Sequence, residues 1–258
     1  MPSVAAGHGV IHYSDFSGQA QSVRWPPLLL VHGAGGSRLD WPAALRRLPG
    51  AHVLTLDLPG HGRSTGPGRG TIEGYAQDVR LFLDRLGLGQ VILIGHSMGG
   101  AVAQQIALSD PDRVAGLVLI ATGSKLPVDP ALPQRILAET GATLDWIITN
   151  AWGHPVADGL RAQARQRMAQ TPPTVLRDDY LACQSFDVRD RLHQITAPTL
   201  VIGAADDRMV PLSFSATLAE RIPRAALAVI QGAGHMVPLE RTAEVVRAIT
   251  EWLEAGVW

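Results

Sequence analysis

A serine flanked by glycines is the first feature of this sequence that could do chemistry. Ser97 stands in the run Gly95-His96-Ser97-Met98-Gly99, after a short aliphatic run and before a helix-forming stretch. A strand that turns sharply into a helix at a serine presents the hydroxyl to a cleft, and the residues two before and two after must be nearly free of side chains. Gly95 and Gly99 meet that requirement. The pattern predicts a nucleophilic serine.

A serine hydroxyl needs a histidine base, and the histidine needs a carboxylate that fixes its tautomer. Of the nine histidines, His235 follows the small residues 232–234 just after the last predicted strand. That position lies at the sheet edge where open α/β folds bind ligands, so we predict His235 as the base. His96 is expected to point away from the serine and to be structural. His32 and His61 sit in glycine turns and could line the entrance of a pocket.

Two adjacent aspartates compete for the role of the acid. Asp206 and Asp207 both follow the aliphatic run 199–202, and only one of them can face His235. In this type of sheet the expected chain order is serine, acid, histidine, which both aspartates satisfy. Asp207 is favoured because it precedes Pro211 by four residues, as the acid does in comparable loops.

Acyl transfer also requires two backbone N–H groups that stabilise the developing oxyanion. Met98, the residue after the serine, supplies one at the start of the following helix. The glycine-rich stretch 32–36 follows another aliphatic run, and Ala34 within it is predicted as the second donor. That stretch lacks the Gly-Lys-Ser/Thr ending of a phosphate-binding loop and the spacing of a dinucleotide-binding motif. We therefore expect no phosphate or dinucleotide to bind here, and no metal.

These residues depend on a sheet that brings them together. Short aliphatic runs end in glycine-rich or acidic turns, and helical patterns separate most of them. Continuous apolar character predicts strands buried on both faces, as in a parallel sheet, and the alternation with helices predicts a doubly wound α/β fold. Residues 9–13 are interpreted as part of an exposed N-terminal hairpin. The runs cover residues 28–31, 52–56, 91–94, 116–120, 199–202 and 227–230.

One region interrupts this alternation. No strand-like run lies between Ile120 and Thr199, where helical pieces and prolines occur instead. We predict a helical cap over residues 124–190, inserted into a core formed by residues 1–123 and 191–258. The predicted pocket residues, from this region and the neighbouring loops, are His32, Leu126, Trp146, Trp152 and Met236.

Composition excludes several classes of function. The chain has 258 residues, 22 Lys and Arg against 23 Asp and Glu, and a formal net charge of −1, so no basic footprint for nucleic acid is present. Cys183 is the only cysteine, which excludes intramolecular disulfides and Cys-x-x-Cys metal sites. No apolar run approaches the roughly 18 residues that span a bilayer, and the N-terminus has no signal-peptide pattern. We expect a cytoplasmic protein, monomeric or homodimeric, with no membrane or nucleic-acid partner.

Taken together, the motifs resemble those of the α/β-hydrolase superfamily over nearly the whole chain. The resemblance implies a mostly parallel sheet of about eight strands, a variable helical cap, and a cofactor-free hydrolase with Ser97, Asp207 and His235 as its triad. Related epoxide hydrolases and haloalkane dehalogenases carry aspartate at the nucleophile position, so Ser97 indicates acyl transfer. The family's alternative acid position, after the sixth strand, is occupied by Ala121-Thr122-Gly123. The matching stretches are 32–37, 57–64, 95–100, 207–211 and 232–235.

The leading hypothesis is a carboxylesterase acting on small to medium, fairly apolar esters. A C–C bond hydrolase of ring meta-cleavage products is the main alternative, and such enzymes hold a dienoate carboxylate with polar or arginine groups in the pocket. Arg161, Arg165 and Arg167 lie in the predicted cap, but their pattern is typical of a solvated helix face. Thioesterase, lactonase and perhydrolase activities stay open, as does, more remotely, a non-catalytic ligand receptor with the same fold.

Overall fold

The structure, a computed structural model, describes residues 2–7, 9–17, 22–153 and 158–256. These residues form one eight-stranded sheet with helices on both faces, so the predicted α/β-hydrolase fold is confirmed. Strands β1 and β2 form the predicted N-terminal hairpin, but its predicted exposure is wrong, because β2 pairs with β4 and buries Ile11 and Tyr13 in the core. The strands are β1 (Ser3–Ala6), β2 (Gly9–Asp15), β3 (Leu28–Val31), β4 (Val53–Leu56), β5 (Val91–His96), β6 (Val114–Ile120), β7 (Thr199–Ala204) and β8 (Ala225–Ile230).

The sheet has the strand order β1-β2-β4-β3-β5-β6-β7-β8. The first two pairings are antiparallel and all the others are parallel. Leu30 on β3 is in register with Ile94 on β5, which is in register with Val118 on β6. The strands that precede Ser97, Asp207 and His235 therefore all end at one edge of the sheet.

Side chains alternate across the sheet into two separate apolar layers. Leu29 and Leu93 enter one buried cluster, whereas Leu28, Ile92 and Ile94 enter the other. Both layers exclude water from the central strands, because β3 and β5 are buried along their whole lengths. The prediction of strands buried on both faces holds for this centre of the sheet.

Strand β8 contradicts the prediction for its own run. Leu227 is 40% exposed and Val229 39% exposed, although the sequence reads as a buried aliphatic strand. The reason is position: β8 is the last strand of the sheet, so its outer edge has no neighbouring strand to cover these side chains.

The helices between β6 and β7 occupy the range predicted for the cap. We call the described residues from 121 to 198 the insertion; whether residues 124–190 act as a separate cap stays a prediction. None of the helices in the described ranges is long and apolar enough to cross a membrane. The helices are α1 (Ala43–Arg46), α2 (Ile72–Arg85), α3 (Met98–Ser109), α4 (Leu132–Ala138), α5 (Thr140–Ala151), α6 (Asp158–Met168), α7 (Pro173–Ser185), α8 (Leu212–Arg221), α9 (Val237–Glu240) and α10 (Thr242–Glu254).

Candidate active site

Ser97 lies on the sharp turn between β5 and α3. Its φ of 53° and ψ of −120° form a backbone conformation that residues with side chains rarely adopt. The flanking glycines are required sterically: a Cβ on Gly95 would lie 2.3 Å from the carbonyl oxygen of Gly99, and one on Gly99 would lie 2.1 Å from that of Val31. The turn therefore projects the serine hydroxyl from the sheet edge, as the glycine spacing predicts.

Three side chains from three loops form a continuous hydrogen-bonded chain. His235 Nε2 lies 2.9 Å from Ser97 Oγ, and His235 Nδ1 lies 2.8 Å from Asp207 Oδ2. The serine can donate its proton to Nε2 only if Nδ1 carries the other ring proton, and the carboxylate favours that tautomer. The geometry suits general-base activation of Ser97.

Asp207, rather than Asp206, faces the histidine. The second oxygen of Asp207 accepts hydrogen bonds from the amides of Met209 and Val210, both at 2.8 Å. Burial alone would raise the pKa of Asp207, but His235 and the two amides outweigh it and hold the pKa below its ordinary value. Asp207 is therefore a carboxylate at neutral pH. Asp206 is exposed and contributes its backbone N–H to the carbonyl of Ala233.

Both predicted oxyanion donors lie next to Ser97. Met98 is the first residue of α3, and Ala34 lines the same cavity as the serine. The loop that carries Ala34 lies against the nucleophile, because a Cβ on Gly33 would be 3.2 Å from Ser97 Cβ. Within the described part of the chain, neither the amide of Ala34 nor that of Met98 donates to a backbone carbonyl, so both are available as donors, as an oxyanion hole requires.

The alternative acid position of the family supports the nucleophile turn instead. Thr122 Oγ1 donates a 2.8 Å hydrogen bond to the carbonyl oxygen of Ser97. Ala121 has a φ of 47°, the second positive value at a described residue other than glycine. The end of β6 therefore stabilises the strained turn and places no carboxylate near His235.

His96 holds the backbone of His235 rather than the serine. Its Nε2 lies 2.8 Å from the carbonyl oxygen of His235, to which it must donate. Burial and the neighbouring His235 lower the pKa of His96 to about 3, so this ring is neutral. His32 is neutral for the same main reason, burial, with a pKa of about 3, and it accepts a 3.0 Å hydrogen bond from the amide of Leu58.

A mostly apolar cavity of about 150 Å³ lies above Ser97. Of the predicted pocket residues, His32, Leu126, Trp146 and Met236 line it, and Trp146 is 42% exposed at its surface. The insertion supplies most of the remaining apolar lining. These side chains are Val128, Leu132, Ile147, Ile148, Met168, Tyr180 and Cys183.

The prediction for Trp152 is wrong, because this residue does not line the cavity. The residue directly follows α5 and is completely buried in a small cluster with Ala151 and Ala164. The carbonyl of Ala151 accepts a 3.0 Å hydrogen bond from the amide of Met236. This tie draws the end of α5 onto the His235 loop, so the indole packs there and does not face the substrate.

A second buried polar group, which no local sequence pattern indicates, lies beside the site. Asp179 on α7 accepts hydrogen bonds from His61 Nε2 and the amide of Gly35, both at 2.8 Å, and from the Tyr75 hydroxyl. His61 Nδ1 donates to the carbonyl of Pro59. Burial lowers the pKa of His61, but Asp179 outweighs it and raises that pKa above its ordinary value. Asp179 therefore connects α7 to the loop of His61 and, through the amide of Gly35, to the loop of Ala34.

Charged residues at the cavity are all engaged with other groups. Asp40 pairs with Arg167 at 3.2 Å, and Asp129 pairs with Arg135 at the same distance. The guanidinium of Arg208 donates to backbone carbonyls of the insertion. In the described ranges, no three His, Cys, Asp or Glu side chains converge as metal ligands would.

Comparisons with known proteins agree with this architecture. The model of the alpha/beta hydrolase family matches residues 28–248. A putative carbamate hydrolase, RutD, from Caulobacter vibrioides is 32% identical over 251 residues, which cover 89% of this chain and 90% of that relative. The chain is also similar to a thermophilic esterase from Thermogutta terrifontis (29% identity, TM-score 0.85, 98% of each chain covered).

A crystal structure of an enol-lactonase from Burkholderia xenovorans has a TM-score of 0.88 and covers 98% of this chain and 100% of its own, at 22% identity. At that identity the likeness concerns the fold alone. The family match spans most of the chain and includes Ser97, Asp207 and His235. The chain belongs to the α/β-hydrolase family and is a hydrolase.

Proposed function

We propose that this chain is a serine carboxylesterase that cleaves esters with an uncharged, apolar acyl group. The observation that carries the proposal is the Ser97–His235–Asp207 hydrogen-bonded chain at the floor of an apolar cavity. Esterases are among the proteins of similar structure, which supports the reaction class without fixing the substrate.

In the first half-reaction, Ser97 Oγ attacks the ester carbonyl while His235 Nε2 takes the hydroxyl proton. The amides of Ala34 and Met98 stabilise the oxyanion of the tetrahedral intermediate. The intermediate collapses when His235 returns the proton to the alcohol oxygen, and the acyl group stays on Ser97. Asp207 balances the positive charge of the imidazolium in both tetrahedral steps.

In the second half-reaction, water replaces the alcohol. His235 removes a proton from the water as it attacks the acyl carbonyl, and the same two amides stabilise the second oxyanion. Collapse of this intermediate breaks the bond to Ser97, which recovers its proton from His235. The products are a carboxylic acid and an alcohol, and the enzyme returns to its starting state.

The lining favours an uncharged acyl group. Among the described lining residues Arg208 has the one guanidinium, and it donates to the carbonyls of Thr149 and Trp152 at 3.1 and 3.0 Å. Arg165 pairs with Asp145 on the outside of the insertion, and Arg167 pairs with Asp40. A dienoate carboxylate would meet a single guanidinium in this lining, and that group already donates to two backbone carbonyls, which favours an uncharged acyl group over the C–C hydrolase alternative.

The test is a hydrolysis panel of p-nitrophenyl esters of increasing acyl length, extended to a lactone, a thioester and an alkyl carbamate. Ser97→Ala is the control. The proposal predicts turnover of esters with short to medium acyl chains and none above background for the variant. Failure to hydrolyse any ester, together with no labelling by a fluorophosphonate, would contradict it.

A further inference from the structure

The C-terminal end of α5 contacts the loop that carries His235 through its backbone. A Cβ on Gly153 would lie 2.3 Å from the amide nitrogen of Gly234, and a Cβ on Gly234 would lie 2.3 Å from that of Gly153. Two backbones that pass this closely leave no room for side chains between them. The two amides need an acceptor that reaches both from one side.

Glu240, the last residue of α9, provides that acceptor. Its Oε1 accepts a 3.0 Å hydrogen bond from the amide of Gly234, and its Oε2 accepts one of the same length from the amide of Gly153. The carboxylate uses both oxygens and both are acceptors, which an amide side chain cannot reproduce. Hydrogen bonds to a charged acceptor are also stronger than those between neutral groups.

Further ties connect the same end of α5 to the catalytic loops. The amide of Met236, on the other side of His235, donates to the carbonyl of Ala151 at 3.0 Å. Arg208, next to Asp207, donates to the carbonyl of Trp152 at 3.0 Å. The loops of the base and the acid are therefore both fixed to one segment of the insertion.

We propose that Glu240 is a positioning residue for His235, which holds the base loop against the end of α5. The inference rests on the proposed function for its kinetic consequence, but the anchoring itself does not depend on it. His235 must keep two hydrogen bonds at once, to Ser97 and to Asp207, and a displacement of about 1 Å can cost about 100-fold in rate. Without the carboxylate, the amide of Gly234 loses its acceptor and the loop beside His235 can move.

The kinetic test compares Glu240→Gln with Glu251→Gln, a control at an exposed position of α10 whose carboxylate pairs with Arg247. Active sites are titrated with a fluorophosphonate, so that turnover is expressed per competent Ser97. For Glu240→Gln we expect kcat per titrated site to fall about 10- to 100-fold with KM within about threefold. The Glu251 variant is expected to match the wild type. If only the titratable fraction falls and kcat per site is unchanged, Glu240 is merely structural and the inference is wrong.

A second readout does not require activity. Amide hydrogen exchange of Gly153 and Gly234 is expected to be slow in the wild type. In Glu240→Gln, which keeps one acceptor oxygen, exchange is expected to be at least tenfold faster at one or both of these amides; wild-type protection of both would overturn the inference. If the wild type neither hydrolyses esters nor reacts with the fluorophosphonate, the proposed function fails, while exchange still decides the role of Glu240. Glu240→Asp, too short to reach both amides, is measured in the same way if the Gln variant does not fold, and wild-type values in it would also refute the inference.

Discussion

Replacement of Asp179 by asparagine tests whether the buried ion pair with His61 supports the site. His61 Nδ1 must donate to the carbonyl of Pro59, so its Nε2 can donate to Asp179 only if the ring is an imidazolium. Both side chains of the pair are completely buried. Asparagine preserves the shape and removes the negative charge, so the variant isolates the electrostatic contribution.

The complete burial of the pair determines the expected loss of stability. Removal of one partner of a buried ion pair costs about 3–5 kcal/mol, because the remaining charge is left uncompensated. For a domain of this size that loss corresponds to a decrease in Tm of roughly 6–20 °C. The Asp179 carboxylate also holds the amide of Gly35, the neighbour of Ala34, so kcat is expected to fall together with Tm.

The pH dependence identifies the responsible group. Asp179 raises the pKa of His61 above its unfolded value of about 6.5, despite the opposing effect of burial. The stabilisation is therefore fully present below about pH 6.5 and is lost as pH rises through the folded pKa. The difference in Tm between wild type and Asp179→Asn should be largest near pH 6 and should narrow towards pH 10.

Thermal unfolding of wild type, Asp179→Asn and the adjacent Asp178→Asn at several pH values is the assay. Asp178 pairs with the half-exposed Arg177 on the same helix, so its variant should shift Tm by less than about 2 °C. A Tm decrease below about 2 °C in Asp179→Asn, or a decrease that is equal at pH 6 and pH 10, would show that the charged His61–Asp179 pair does not stabilise the fold.

Three further predictions concern the nucleophile, the acid and the cavity. Asp207→Asn should lower kcat about 10⁴-fold, because the variant no longer holds His235 in the tautomer that accepts the serine proton. Asp206→Asn should keep kcat within about tenfold of the wild type, and the reverse ranking in an ester assay would contradict the assignment. Gly99→Ala should yield no soluble, folded protein, as measured by expression and circular dichroism, because its Cβ would lie 2.1 Å from a backbone oxygen. Gly141→Ala is the control, since its Cβ would meet nothing within 4 Å. A folded Gly99→Ala variant would contradict the prediction. Leu126→Trp should fill part of the cavity and lower kcat/KM for medium-chain esters about tenfold while acetate esters change less than about threefold. Equal losses of kcat/KM for medium-chain and acetate esters would contradict the proposal that the acyl group occupies this cavity.

The local apolar pattern correctly predicts the strands at the centre of the sheet. The runs that became β3, β5 and β6 are flanked by strands on both sides and by helices on both faces, so continuous apolar sequence and burial coincide. For β8 the same pattern misleads, because exposure depends on whether another strand follows in the sheet. Sequence around one strand contains no information on that.

The site residues likewise differ in whether a local sequence pattern indicates them. Ser97 and His235 are fixed by glycine-rich turns, and the spacing to Pro211 favours the aspartate that the structure places against the base. The partnership of His61 with Asp179 joins positions 118 residues apart and has no local signal beyond a histidine in a glycine turn. The burial of Trp152 likewise depends on a backbone contact with a loop far along the chain, so periodicity could not exclude it from the pocket.

In the proposed mechanism, Ser97 carries the acyl group during hydrolysis. Rapid mixing with a p-nitrophenyl ester, acid quench and intact mass analysis measure this directly, with the modified peptide located by fragmentation. We expect a mass increase of one acyl group on Ser97, absent in Ser97→Ala. When deacylation is slower than acylation, we also expect a burst of p-nitrophenol equal to the enzyme concentration. Steady hydrolysis with the acyl group on another residue, or hydrolysis that persists at the wild-type rate in Ser97→Ala, would contradict it.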